Sequence, residues 1–141
     1  MSMELHVLVI DSRLPGVQRW QETIDALGFD LKLTPSLSVR DHRGFLPCNF
    51  KGRQSGFEFD IFPASEIVET YPEFEQRFST ANASANFRWS GDLMEMACAL
   101  VASVALAKAC DSVWFDPQKR ACLSPQEALE QARSDVAAVE L

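Results

Sequence analysis

The chain has 141 residues, a length that fits one domain with one core, residues 1–141 throughout. Its apolar share of 47% is that of a globular protein and its charged share of 23% is too modest for a disordered tail, so it can fold without metal or disulfide staples. Thirteen basic against twenty acidic residues give a net charge of −7, which repels a phosphate backbone and argues against nucleic acid as a direct ligand.

Residues 5–10 (LHVLVI) are short, branched and almost without polar alternation, the pattern of an inner strand covered on both faces. Pro15 and Gly28 bracket an amphipathic helix in which Val17, Trp20, Ile24 and Leu27 recur at helical spacing. Residues 31–34 predict a brief second strand, and Pro35 begins a polar connection. From Gly44 the period becomes two. Residues 45–50 and 57–62 predict a hairpin with a rather long loop over 51–56, in which Phe57, Phe59 and Ile61 face the core and Glu58 and Asp60 the solvent.

Residues 63–83 read as an irregular excursion with one helix over 72–78, and 86–89 as a strand. Asp92 followed by Glu95 is a capping-box-like start for a helix that reaches about Cys110. Its apolar run, residues 96–107, falls short of the roughly 20 residues a bilayer requires and reads as a central core helix, not a membrane span. Residues 113–115 form a last strand, and Ser124-Pro-Gln-Glu127 opens a last helix carrying Leu129, Ala132 and Val136 on one stripe. The order predicts an α+β fold: one mainly antiparallel sheet with two or three packed helices, which a ferredoxin-like βαββαβ core with additions accommodates. No basic leader or small-residue cleavage site opens the chain, which points to the cytoplasm, and four cysteines without a CxxC pair read as reduced, buried thiols.

The chemistry-bearing residues give no catalytic set. His6, inside the first strand, reads as a packed residue, and His42 in Arg40-Asp-His-Arg43 as a solvated loop residue. Glu58 and Asp60 have the spacing of a glycosidase pair, but alternation puts both on the wet side of their strand. No paired thiol or imidazole ligands suggest a metal, and no glycine-rich phosphate loop suggests a cofactor.

Charge is instead segregated. Residues 54–76 hold six acids and no Lys or Arg, whereas residues 40–53 carry Arg40, Arg43, Lys51 and Arg53 against Asp41, a net of +3. Eight of the ten phenylalanines fall between 45 and 87, more than the core is expected to absorb. Acids interleaved with aromatic residues suit a docking surface: charge speeds encounter and an aromatic anchor supplies binding energy. Glu58, Asp60, Phe62, Glu66, Glu69, Tyr71, Glu73, Phe74 and Glu75 are the candidate partner-binding residues.

The runs Gly44-Phe-Leu-Pro-Cys48, Phe87-Arg-Trp-Ser-Gly-Asp-Leu-Met-Glu-Met96, and Trp114-Phe-Asp-Pro-Gln118 before Ser124-Pro-Gln-Glu-Ala-Leu129 resemble those of small bacterial cytosolic proteins of the toxin-immunity type. The resemblance implies an immunity partner of a secreted toxin; together with the segregated charge and the missing catalytic set, it leads to the expectation of a non-enzymatic inhibitor that blocks a basic cognate toxin, with no cofactor and no nucleic-acid or membrane partner. It transfers no site residues. The alternative expectation is a small-molecule-binding domain or enzyme with a pocket near Arg40, His42, Arg43 and Arg88.

Overall fold

A computed structural model describes residues 2–78 and 80–139. The strands are β1 (Ser2–Val9), β2 (Leu31–Leu33), β3 (Phe45–Phe50), β4 (Arg53–Pro63), β5 (Ala83–Ser90), β6 (Val113–Asp116) and β7 (Ala121–Leu123). The helices are α1 (Val17–Ala26), α2 (Ser65–Thr70), α3 (Glu75–Phe78), α4 (Leu93–Cys110) and α5 (Pro125–Ala137). The strands make one antiparallel sheet in the order β2-β3-β4-β5-β1-β6-β7, and the fold is α+β, as its sequence pattern predicts. Helix α4 joins β5 to β6 with β1 between them, and α1 joins β1 to β2 at the sheet edge with β5, β4 and β3 between them. The set β4-β5-β1-β6 has the strand order of a ferredoxin-like core, with β2 and β3 added between α1 and β4 and β7 added at the other edge.

Period-two alternation decides what each face of the sheet carries. On one face Leu5, Val7, Leu46, Cys48, Phe50, Phe57, Phe59, Phe87 and Trp114 pack under α1, α4 and α5. Helix α4 is buried on all sides from Ala97 to Ala107 because the sheet lies beneath it and α1 and α5 flank it. At 18 residues it is long and apolar enough to cross a bilayer by length and composition, yet its apolar surface is spent inside the fold. Ser103, the polar residue within that run, is satisfied by donating to the Leu100 carbonyl (3.0 Å) and accepting from Trp114 Nε1 (2.9 Å). Trp20 Nε1 donates to the Ala102 carbonyl at 2.9 Å, so one tryptophan from α1 and one from β6 pin adjacent residues of α4. Helix ends follow local chemistry: Asp92 accepts from the Glu95 amide, and Ser124 and Glu127 form a reciprocal capping box.

Several expectations are corrected. The hairpin loop is not long: Phe50 pairs with Arg53, and Lys51 and Gly52 both adopt positive φ (52° and 79°), the two-residue turn that matches strand twist. Strand β7 is added, since Ala121–Leu123 is too short for alternation to register but pairs with β6 across a turn. The excursion contains α2 and, over 72–78, a 3-10 turn (Pro72–Phe74) running into α3; Ser79 lies outside the described residues. The phenylalanines are mostly core: Phe50, Phe57, Phe59, Phe78 and Phe87 are buried, and among the eight only Phe45 and Phe62 are exposed.

The four cysteines are free thiols; Cys48, Cys98 and Cys110 are buried and Cys122 is half-buried. Interaction with the neighbouring Cys98 thiol, with burial, pushes the Cys48 thiol up. Burial raises Cys110 from 9.0 to about 11, against the opposing pull of Arg19 and Arg13. A thiol whose folded pKa is raised gives stability that is whole below the unfolded value and is lost as pH rises through the folded one. Between pH 9 and 11 the protein is therefore expected to lose roughly 2 kcal/mol through Cys110 alone. Urea denaturation at pH 8 and pH 11 checks this: the alkaline loss should be smaller in Cys110→Ala by that amount, and an identical loss in both proteins would refute it.

Candidate functional site

The second face of the sheet is only partly covered. The arm formed by α2, the 3-10 turn and α3 lies across one end of it, where Ala64, Phe78 and the half-buried Ile67, Val68, Tyr71 and Phe74 pack on Leu8 and Phe115. Tyr71 and Phe74 meet the Phe115 ring at centroid distances of 4.9 and 5.1 Å. Beside the arm, strand register lines up polar side chains in rows. Glu4, Arg88 and Glu58 form one row; His6, Asn86 and Asp60 the next; Leu8, Ser84 and Phe62 the third.

The middle row is buried, and its hydrogen bonds run in one direction. Arg88 Nη1 donates to Asp60 Oδ2 (2.8 Å), and Asn86 Nδ2 donates to Asp60 Oδ1 (2.8 Å). That fixes the Asn86 amide, so its Oδ1 must accept from both Ser84 Oγ (2.7 Å) and His6 Nδ1 (2.7 Å). His6 therefore carries its proton on Nδ1 when neutral, and Nε2 is left as an acceptor. Nε2 is buried without a hydrogen-bond partner, and Glu4 Oε1 stands 3.5 Å away.

Glu4, His6, Ser84, Asn86 and Arg88 line a cleft of about 190 Å³ between the sheet and α2, with Phe62, Glu66 and Tyr71 on its more exposed rim. Its electrostatics are acidic. The neighbouring His6, and after it the charge of Arg88, hold the Glu4 carboxyl below its ordinary range despite partial burial. Burial first, and then the Glu4 carboxylate, push the Tyr71 phenol up, against the pull of Arg120.

The residues read from the sequence as one outward acidic surface have three fates. Asp60 is corrected: it is 8% exposed and tied to Arg88 and Asn86 of the adjacent strand, whose side chains donate to its two carboxylate oxygens. Glu73 pairs with Arg120, whose guanidinium also lies over the Tyr71 and Phe74 rings. Phe74 and much of Tyr71 belong to the small second core. Glu58, Glu66, Glu69 and Glu75 remain exposed, and their carboxylates have no ion pair or hydrogen bond among the described residues. Phe62, Glu66 and Tyr71 come together at the cleft.

Of the four residues expected near an alternative pocket, Arg88 alone lines this cleft. Arg40 is held by the Asp11 carboxylate (2.7 Å), His42 donates to the Gly44 carbonyl (3.1 Å), and Arg43 lies over the Phe62 ring (4.9 Å). Glu4, Ser84 and Asn86 were not legible as site residues. Their only signal is polarity at positions i and i+2 of strands whose alternate residues are apolar, which cannot say what faces them. Among the described residues no cluster of His, Cys, Asp and Glu is arranged to hold a metal ion.

Fold and site together define an α+β sandwich with one closed apolar face and one polar, half-open face. Comparison with protein-family models, curated proteins and solved structures found no match.

Proposed function

We propose that the chain is a non-enzymatic protein-binding domain, an inhibitor of the bacterial immunity type, that covers the working surface of a basic partner such as a toxin. The observation that carries this reading is the set of four unpaired, exposed carboxylates, Glu58, Glu66, Glu69 and Glu75, on the arm and strand of the half-open face. Charges that a protein leaves without internal partners on one side are free to steer and meet opposite charge. Phe62 (38% exposed) and Phe45 (52% exposed) stand on the same face of the sheet and supply apolar anchors. The mechanism is steric occlusion with electrostatic steering.

The test begins with the partner captured by the tagged chain from the native host. Reversing Glu66, Glu69 and Glu75 to Lys is expected to weaken its affinity on the order of 100-fold at low salt and to flatten the salt dependence. Unchanged affinity together with an unchanged salt slope would reject the acidic face as the binding surface.

A further inference from the structure

We infer that the cleft between β1, β5 and α2 is a receptor for one basic side chain of the partner, an arginine, seated against His6 Nε2. The inference rests on the basic-partner reading above and adds the place where that partner is gripped. Three observations converge on it. His6, only 2% exposed, presents a buried nitrogen without a hydrogen-bond partner at the cleft floor, and the Arg88–Asp60–Asn86 chain forces that nitrogen to be an acceptor. An unpaired buried acceptor is costly, and a donor brought by a ligand removes the cost.

The surrounding charge selects the donor. Two carboxylates of the lining, Glu4 and Glu66, stand against one guanidinium, Arg88, which Asp60 outside the lining already binds at 2.8 Å and Glu4 Oε2 approaches at 3.8 Å. An anion would meet net negative charge, whereas a guanidinium can donate to His6 Nε2 and to Glu4 Oε1, 3.5 Å from it, with further N–H groups toward Glu66 at the mouth. The size of the cleft selects the scale: about 190 Å³ is below the roughly 300 Å³ at which pockets begin to take drug-sized ligands or cofactors, and suits a single side chain. Phe62, Pro63, Ile67 and Tyr71 give apolar walls for an alkyl stem. The protein's own Arg43 and Arg120 already lie over the outer Phe62 and Tyr71 rings, so a guanidinium is compatible with this rim.

The chain has only two histidines, which makes the test direct. The histidine ring resonances of the full chain are followed by NMR at fixed pH during titration with Nα-acetyl-arginine amide, and separately with the uncharged Nα-acetyl-citrulline amide. His42→Gln assigns the His6 signals. The expected result is a saturable shift of the His6 resonances with the arginine probe alone, still His42 resonances, and a several-fold weaker midpoint in Glu66→Gln, a substitution at an exposed position. No shift, an equal shift with the citrulline probe, or a midpoint indifferent to Glu66→Gln would overturn the assignment. Because the titration uses no partner protein, its failure removes the cleft as the grip while the triple charge reversal still judges the acidic face separately.

Discussion

Replacing Arg88 by methionine is expected to destabilise the protein by roughly 2 to 3 kcal/mol, measured by urea denaturation at neutral pH. Methionine keeps most of the aliphatic volume and removes the charge. Asp60, 8% exposed, would then retain only the Asn86 amide, leaving a buried carboxylate without its counter-ion. Breaking a fully buried pair costs about 3 to 5 kcal/mol, and the smaller figure here follows from the partial exposure of the Arg88 side chain, which lets water replace some of the lost interaction. Adding Asp60→Asn to Arg88→Met should recover a substantial part of the loss, because the uncompensated charge goes with it. A loss below about 0.5 kcal/mol in the single variant, or no recovery in the double, would mean that the polar row is not held together by this pair.

Trp20→Ala is expected to be more damaging still, at about 4 kcal/mol, which corresponds to a fall in Tm of roughly 10 to 15 °C for a chain of this size. Trp20 is fully buried where α1 meets α4 and the sheet, its ring packed on Phe59 and Phe87 at centroid distances of 5.2 and 6.1 Å. Truncation opens a cavity against the helix that organises the whole core, and the small residues of α4 have no reach to fill it. Trp20→Phe separates packing from hydrogen bonding: it keeps a ring in place and loses the bond to the Ala102 carbonyl, so it should cost only about 1 to 2 kcal/mol. Equal losses in the two variants would show that the indole N–H, rather than the ring's volume, carries the contact.

The fate of the acidic stretch shows where sequence reasoning stops. Alternation over 57–62 correctly separates Phe57, Phe59 and Ile61 from Glu58 and Asp60, yet Glu58 is exposed and Asp60 is buried beside Arg88. The two differ because strand register places Glu58 opposite Arg88 in an open row and Asp60 opposite Asn86 in the buried row. His6 behaves in the same way: its burial follows from an inner-strand pattern, but its orphan nitrogen depends on Asn86, 80 residues away. Glu73 looks as free as Glu69 in the sequence and is paired only because the turn after β6 brings Arg120 to it.

The sequence by itself determined the elements whose causes are local. Helical spacing and end caps marked α1, α4 and α5, and a period of two marked the hairpin and its apolar face, because these patterns need only neighbours a few residues apart. The tertiary structure alone decided which charges stay in water, which are paired, and that a polar cleft exists. Those outcomes depend on the docking of an arm over one half of a sheet and on register between strands far apart in the chain. No period in the sequence records either.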